Sequence, residues 1–227
     1  RDFEAAVAEY TGAPYCVAVN SCTAALMLAV AWHLREKPDT NKFIKFPRDY
    51  SIQEIEKFTQ FRGRQCVQPI EIPKRTYVSV PMAIIHAGGR PTFRDEEWVG
   101  GYQLKPLPVW DYARRFRSPM ASWVHSDIAP VMLCVSFHWS KILGIQQGGA
   151  ILHDDHAADA WLRRMRFDGR TEGVAPKDDN IREIGYHCYM SPEVAAEGIV
   201  RLHHLPRHNA DLPNDDYPDL SKMEVFK

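Results

Sequence analysis

Residues 15–34, YCVAVNSCTAALMLAVAWHL, change character at a short polar turn. Tyr15–Val19 is a compact apolar run of strand-forming residues, and residues 24–34 are dominated by strong helix formers. Between them, NSCT at residues 20–23 gives the turn. The stretch therefore predicts a strand, a turn and a helix in succession, which is the repeating unit of an α/β fold.

The same succession returns further along the chain. Residues 70–72 predict a strand, and residues 78–86 predict a helix that ends at Gly88 and Gly89. The other predicted strands are 91–93, 107–110, 131–137 and 150–152, and the other predicted helices are 2–10, 157–167 and 195–204. Strands that alternate with helices predict an α/β fold with a mostly parallel sheet flanked by helices.

The length and composition suit one main domain. The chain has 227 residues, of which 45% are hydrophobic, so it can bury a sizeable core. Residues 37–68 are charged and irregular and are interpreted as an insertion-like excursion, with a short helix beginning near Ser51. Residues 206–227 are rich in Pro, Asp and Asn and are expected to be extended or loosely packed. We expect a domain over 1–205 and a tail over 206–227.

Charge and hydropathy exclude several partner classes. The formal net charge is -1 and no dense basic block is present, so a nucleic-acid partner is not expected. The longest apolar run, residues 24–32, is far shorter than the roughly 20 residues of a membrane span. No signal segment opens the chain, and a soluble cytoplasmic protein without a membrane partner is expected. The five cysteines form no C-x-x-C pair, and neither disulfides nor a metal site are expected.

Polar residues follow several predicted strands, at the edge where open α/β sheets bind ligands. Ser21, Cys22 and Thr23 head a helix, where they either cap the helix or hold a phosphate. Asp111 follows an apolar strand and is either a turn residue or a functional carboxylate. Lys141 stands between an apolar run and two glycines, as either a solvated turn residue or a partly buried amine.

Five stretches in order resemble the successive motifs of one enzyme family. They are FEAAVAEYTGAPYCVAVNSCTAAL (3–26), IEIPKRTYVSVPMAIIHAGGRPTFRDEEW (70–98), VWDYARRF (109–116), VSFHWSKILGIQQGGAIL (135–152) and IGYHCYMSPEVAAEGIVRL (184–202). They resemble the DegT/DnrJ/EryC1/StrS family, whose members are mostly sugar aminotransferases that depend on pyridoxal phosphate (PLP). The resemblance covers roughly residues 2–204. It implies the large domain of aminotransferase fold type I, with the small C-terminal domain reduced or absent.

The resemblance assigns the two catalytic roles. Lys141 occupies the family's lysine position in an S-F-x-x-x-K pattern, which implies that its amine bonds the cofactor aldehyde and later carries a proton. A lysine beside positive charge or in an apolar wall has a lowered pKa, which makes the free amine accessible. Asp111 matches the aspartate that stabilises a protonated ring nitrogen of the cofactor.

Other cofactor-binding residues are also implied by the resemblance. The turn at Cys22 and Thr23, where the family usually has S-G-T, would hold the cofactor phosphate together with Ser136. Tyr77 falls where the family places an aromatic ring stacked on the cofactor.

The sequence also departs from the family pattern. Arg114 replaces a glutamine near the cofactor's phenolic oxygen, where a cation would favour the phenolate. In the family segment G-x-N-Y-R-M-S, His187 replaces the asparagine that reaches the neighbouring subunit's phosphate, and Tyr189 replaces the arginine. Typical members also continue into a small C-terminal domain.

Two functions follow from this comparison. The first is a PLP-dependent aminotransferase that moves an amino group from a donor such as glutamate to a keto-sugar, nucleotide-linked in many members, in a homodimer. The second is a truncated, non-catalytic member that binds PLP or serves as a scaffold or regulatory subunit. Lys141, Asp111, Ser136 and Tyr77 favour catalysis, whereas the changes at Arg114, His187 and Tyr189 favour the second function.

Overall fold

The computed structural model describes residues 1–35, 69–120 and 131–227. The predicted excursion at 37–68 and its helix near Ser51 lie outside the described residues. The helices are α1 (Asp2–Thr11), α2 (Cys22–Arg35), α3 (Ser79–His86), α4 (His156–Met165) and α5 (Pro192–His204). The strands are β1 (Tyr15–Val19), β2 (Pro69–Pro73), β3 (Arg90–Arg94), β4 (Tyr102–Gln103), β5 (Val109–Tyr112), β6 (Met132–Ser136) and β7 (Gly149–His153).

The main sheet contains five of these strands in the order β1-β7-β6-β5-β4. Strands β5 and β6 pair in parallel, whereas β1 with β7, β6 with β7, and β4 with β5 pair antiparallel. Strands β2 and β3 form a separate parallel pair. The α/β class is confirmed, but the sheet is mixed and not mostly parallel. The reason is connectivity: β7 returns directly from β6 without a crossover helix, so it runs antiparallel.

The predicted elements on the described residues are present, with small shifts at their ends. One shift moves a candidate site residue: the strand predicted at 107–110 is observed at Val109–Tyr112. Pro106 and Pro108 have no N–H to give to a sheet, so pairing begins after them. As a result, Asp111 lies within the strand and not after it. The two-residue strand β4 was not predicted.

Two apolar layers enclose the main sheet. Strand β6 is buried throughout and divides its side chains between them: Met132 and Cys134 join one layer, and Leu133 and Val135 join the other. This division follows the two-residue period of a strand. Helix α2 fills the first layer, and α1 with α5 covers the second. In the described part of the chain, no helix is long and apolar enough to cross a membrane.

A buried ion-pair network fixes α1 to the sheet. The Glu4 carboxylate accepts hydrogen bonds from the Ala18 backbone N–H at 2.8 Å and from Arg163 at 2.7 Å. Arg166 also binds Glu4, and it reaches the Ala18 carbonyl. Although burial alone would raise the pKa of Glu4, Arg166 and Arg163 hold this pKa below its ordinary value. The network therefore joins α1, β1 and the end of α4.

The segment 206–227 is extended and well packed. Arg115 Nε donates to the Asp211 carboxylate at 2.9 Å, and the Leu220 N–H donates to the Lys74 carbonyl at 2.9 Å. Leu220 is fully buried. The Phe226 and Phe93 rings lie 5.9 Å apart. The expectation of loose packing is not met, because these long-range partners hold the segment, and 3₁₀ turns at Leu220–Lys222 and Glu224–Phe226 interrupt its extended conformation.

Candidate active site

A cavity of about 400 Å³ opens beside the ends of β5 and β6 and the start of α2. It collects all but one of the predicted site residues: Cys22, Thr23, Tyr77, Asp111, Arg114, Ser136 and Lys141. These residues come from four separate sequence stretches, so the fold is what brings them together. A pocket of this volume falls within the range of small-molecule sites.

The turn at residues 20–23 and the end of β6 meet through one glycine. Ser136 lies opposite Gly149 in the β6–β7 register. A Cβ atom on Gly149 would lie 2.6 Å from the Cys22 nitrogen, which is closer than real Cβ contacts allow. Glycine at this position therefore lets the strand approach the turn, and it brings the Ser136 hydroxyl near the start of α2.

The sequence left two interpretations of the turn, helix capping and phosphate binding, and different residues of the turn fit each one. Ser21 Oγ accepts a 3.1 Å hydrogen bond from the Ala24 N–H, which is helix capping. Thr23 Oγ1 lies 2.8 Å from Ser79 Oγ, so a third hydroxyl joins the group from α3. The cavity wall on this side thus combines hydroxyl groups with the positive end of α2, an arrangement that suits an anion.

Asp111 is buried at the centre of the site, with 5% of its surface exposed. Its Oδ1 accepts the Ala113 N–H at 2.9 Å, and its Oδ2 accepts the Tyr102 hydroxyl at 2.9 Å. Burial raises the pKa of the Asp111 carboxyl, while these hydrogen bonds, Lys141 and Arg114 act in the opposite direction. A carboxylate so placed favours a cationic or proton-bearing partner in the cavity.

Lys141 is half-buried on the opposite wall and is not a fully solvated turn residue. Its backbone N–H donates to the His138 carbonyl at 2.8 Å, within the loop that connects β6 and β7. Burial, and then the nearby Arg114 cation, lower the pKa of the Lys141 amine. A lysine with a lowered pKa supplies the unprotonated amine that attack on a carbonyl requires.

Arg114 is buried, and the segment 206–227 surrounds its guanidinium group. Its Nη2 donates to the Tyr217 hydroxyl at 3.0 Å, and the group also binds the Pro213 carbonyl and the Asp215 carboxylate. Asp215 and Tyr217 line the cavity in turn. The sequence pattern did not indicate these two residues, because a Pro- and Asp-rich stretch carries no periodicity that would place it.

The remaining predicted residues lie at the margin or elsewhere. Tyr77 is 58% exposed at the cavity mouth, where a ring remains accessible to a ligand. His187 does not line the cavity; its Nδ1 lies 3.0 Å from Asp168 Oδ2, and its ring packs edge-on against Tyr189. Its predicted contact with a neighbouring subunit stays a prediction.

This site suits a small cofactor that combines a carbonyl group, a basic ring nitrogen and an anionic end. The family comparison agrees with it. The model of the DegT/DnrJ/EryC1/StrS aminotransferase family matches residues 1–41 and 129–212, which is more than half of the chain. The protein belongs to this family, as its sequence motifs predicted.

Solved aminotransferase structures share the fold. The sugar aminotransferase CalS13 from Micromonospora echinospora is 18% identical with a TM-score of 0.60, and the match covers 89% of this chain and 59% of that one. Helicobacter pylori PseC, an aminotransferase of pseudoaminic acid biosynthesis, is 17% identical with a TM-score of 0.57, covering 88% and 56%. NtdA from Bacillus subtilis, with bound pyridoxamine phosphate (PMP), is 15% identical with a TM-score of 0.59, covering 90% and 47%.

The chain therefore spans less than three fifths of the length of these neighbours. A comparison with curated proteins found no match.

Pyridoxal phosphate is the cofactor of this family, and the described residues fit it. The cavity holds a half-buried amine, a buried carboxylate and a cluster of hydroxyl groups, one set for each reactive part of the cofactor. A Cβ atom at position 149 would overlap the backbone of Ser21 and Cys22, the turn on the phosphate side of the cavity, so this arrangement requires glycine. In the described ranges, no group of three or more His, Cys, Asp or Glu could hold a metal ion.

Proposed function

We propose that the protein is a PLP-dependent aminotransferase that transfers an amino group from an amino acid, such as glutamate, to a nucleotide-linked keto-sugar. The observation that carries this proposal is the convergence of Lys141, Asp111 and the hydroxyl cluster in one cavity of an aminotransferase fold. The sugar substrate is inferred from the family and from neighbours such as CalS13.

Lys141 is the group that would bond the cofactor and move the proton. Bound PLP supplies an electron sink for charge that develops at the substrate carbon. The lowered pKa of Lys141 makes its Nζ available as a nucleophile, and the same atom can then accept and return a proton at that carbon. Its half-buried position beside the cavity limits access of bulk water to this proton.

Asp111 would hold the cofactor's ring nitrogen in its protonated state. Each of its oxygens already accepts one hydrogen bond from the protein, and each retains lone-pair capacity for a ligand. A carboxylate bonded to a protonated ring nitrogen stabilises positive charge there. A protonated ring nitrogen would let the cofactor accept negative charge, so the contribution of Asp111 would appear mainly in the transition state.

Thr23 and Ser136 would anchor the phosphate. Their hydroxyl groups face the cavity beside the N-terminus of α2, where hydroxyl donors, backbone N–H groups and the helix dipole act together on an anion. Cys22 contributes its position in this turn, and Tyr77 would lie against the cofactor ring from the cavity mouth. Arg114 would favour the cofactor's phenolate.

We further propose a cytoplasmic homodimer in which residues 1–205 form the cofactor-binding domain. The support is His187, which lies outside this chain's own cavity and has a largely exposed side chain. A two-fold arrangement would satisfy both sites at once. Sedimentation of the PLP-loaded protein tests this assembly, and a monomer at high concentration would count against it.

A second candidate function is a scaffold or regulatory subunit that binds PLP without turnover. The replacements at His187 and Tyr189 favour it, because they change residues that the family uses around the cofactor phosphate. The two functions differ in their response to an amino donor.

A half-reaction decides between them. The purified protein is loaded with PLP, a panel of donors that includes glutamate is added, and absorbance follows conversion of the bound cofactor to its amine form. Conversion supports the aminotransferase. PLP binding without conversion by any donor supports the scaffold.

A further inference from the structure

A chain of three buried side chains ends at Asp111, and its first member, Thr76, also lines the cavity. Thr76 Oγ1 lies 2.6 Å from the Tyr102 hydroxyl, which lies 2.9 Å from Asp111 Oδ2. Thr76 is 1% exposed and Tyr102 is 2% exposed. Strand β4 places Tyr102 directly opposite Asp111 on β5. The cross-strand register therefore fixes this contact.

The number of available protons fixes the direction of the two hydrogen bonds between Thr76, Tyr102 and Asp111. A tyrosine hydroxyl has one proton to donate, and Tyr102 donates it to Asp111. Thr76 must then donate its own proton to the Tyr102 oxygen. Both dipoles thus point toward Asp111, and each bond polarises the next in a buried chain of this kind. The order stabilises negative charge on the carboxylate and not its neutral form.

Other charged and titratable groups face Asp111 from each packed element. Lys141, from the β6–β7 loop, and Arg114 act on it as cations and lower its pKa. Cys22 at the start of α2 and Cys134 on β6 also face it. Burial, and then the Asp111 charge, raise the pKa of both thiols, so they stay protonated. Tyr102 is the side chain among these neighbours that donates a hydrogen bond to a carboxylate oxygen.

We propose that Thr76 and Tyr102 are positioning residues that hold Asp111 as a carboxylate, aimed at the cavity. The Tyr102 hydroxyl binds Oδ2 and the Ala113 N–H binds Oδ1, so the carboxyl plane cannot rotate freely. The link between this role and the cofactor nitrogen rests on the proposed function. The effect of Tyr102 on Asp111 does not, because it involves only residues of the protein.

Tyr102→Phe removes the hydroxyl and keeps the ring, which packs edge-on against Trp98 at 4.8 Å. Thr76→Val removes the first donor and keeps the side-chain shape. Tyr112→Phe is the matched control: it is the neighbour of Asp111 on β5, its side chain points to the opposite face, and it does not line the cavity. Circular dichroism checks that all variants fold.

The first measurement needs no cofactor. In the apo-protein, NMR titration of carbon-13-labelled aspartate carboxyl groups follows Asp111, which is assigned by its loss in Asp111→Asn. Tyr102→Phe should raise the midpoint by roughly 1 pH unit, the size expected for one hydrogen bond to a charged group. Thr76→Val should raise it by less, and Tyr112→Phe should leave it unchanged.

The second measurement uses PLP as the probe. The long-wavelength band of the loaded protein reports the proton at the Lys141 nitrogen, and positive charge on the cofactor ring disfavours that proton. In Tyr102→Phe, a more basic Asp111 would hold a larger share of the proton on the ring nitrogen, which lowers the positive charge on the ring and should move the band's pH midpoint upward. In the Asp111→Asn background, Tyr102→Phe should add no further shift.

Each outcome decides one claim. Equal carboxyl midpoints in wild type and Tyr102→Phe would overturn the positioning role. A wild type without any long-wavelength band would overturn the proposed function, while the carboxyl titration still decides the role of Tyr102. A carboxyl shift without a band shift would confine the role of Tyr102 to the apo-protein and overturn its link to the cofactor.

Discussion

Arg114 Nη2 donates a 3.0 Å hydrogen bond to the Tyr217 hydroxyl, across a separation of 103 positions in the sequence. This bond places an irregular part of the segment 206–227 against the cavity and supplies two of its lining residues, Asp215 and Tyr217. It also fixes a cation beside Lys141, because the same guanidinium group binds the Asp215 carboxylate. The charge around Lys141 therefore depends on the segment that follows α5.

Arg114→Gln and Asp215→Asn should shift the pKa of the Lys141 amine in opposite directions. After burial, the Arg114 cation is the main cause of the lowered pKa of Lys141, whereas Asp215 raises this pKa. Removing Arg114 should move the pKa upward, and removing Asp215 should move it downward, each by a few tenths of a unit to about 1 unit. The pH dependence of the rate at which PLP produces its absorbance band measures both shifts. Shifts of the same sign would contradict the assigned electrostatics.

Lys141→Ala should abolish the long-wavelength band of added PLP, because this amine is the one placed in the cavity. Borohydride reduction of the wild type should fix the cofactor to Lys141, which peptide mass spectrometry locates. Lys177→Ala, at an exposed position outside the cavity, serves as the control and should keep the band. A reduced adduct on another lysine would overturn the assignment.

Asp111→Asn should separate binding from turnover. Thr23 and Ser136 remain in place to anchor the phosphate, so PLP should still bind. Conversion by glutamate should fall by a factor of about 100 or more, since the lost charge acts mainly in the transition state. Half-reaction kinetics and a PLP titration measure the two effects. A variant that matches an active wild type would show that Asp111 has another role.

Glu4→Gln should destabilise the fold in a pH-dependent way. Removing Glu4 takes one carboxylate from Arg166, which keeps Glu172 as its remaining carboxylate partner, and costs about 2 kcal/mol in the free energy of unfolding at neutral pH. Because the folded-state pKa of Glu4 is lowered from 4.5, its contribution is complete above pH 4.5 and is lost as the pH falls through the folded-state value.

The difference between wild type and Glu4→Gln should therefore narrow below pH 4.5. Urea unfolding over a pH series measures it. Glu9→Gln, at an exposed position of the same helix, is the control and should change little. A constant difference at all pH values would rule out the electrostatic explanation.

Gly149→Ala should cost more stability than Gly148→Ala. At Gly149 the new methyl meets backbone atoms of Ser21 and Cys22 at 2.6 Å, which cannot move without distorting the turn. At Gly148 the closest atom is the flexible end of Met190, which can rotate away. Overpacking of the rigid kind costs about 1–3 kcal/mol, measurable by equilibrium unfolding of the apo-protein. Equal losses would show that the turn at 20–23 yields easily.

The helices and longer strands could be predicted because each carries its own local pattern. β6 is a continuous apolar run, and α5 begins at a serine followed by proline, so both are visible without their neighbours. Pairing between distant strands is not local. Nothing in residues 15–19 shows that their partner is β7, and the mixed sheet was missed for this reason.

The candidate site also contains residues that the sequence could predict and residues that it could not. Lys141, Asp111 and Ser136 stand in motifs that mark them individually, and the structure brings them to one cavity, although their roles stay predictions. Tyr102 lies on a two-residue strand, which is too short to show a period. Asp215 and Tyr217 reach the cavity through their contacts with Arg114. Because these contacts join residues far apart in the sequence, no local pattern in either stretch predicts them.

The pairing of β1 with β7 has a consequence for biosynthesis. β1 leaves the ribosome well before β7, its hydrogen-bonding partner in the described sheet, because more than a hundred residues separate the two strands. Until then the apolar strand Tyr15–Val19 remains unpaired on the nascent polypeptide. Long-range pairing of this kind delays folding and leaves an aggregation-prone strand edge exposed. Translation that stalls before Gly149 therefore releases a fragment that depends on chaperones.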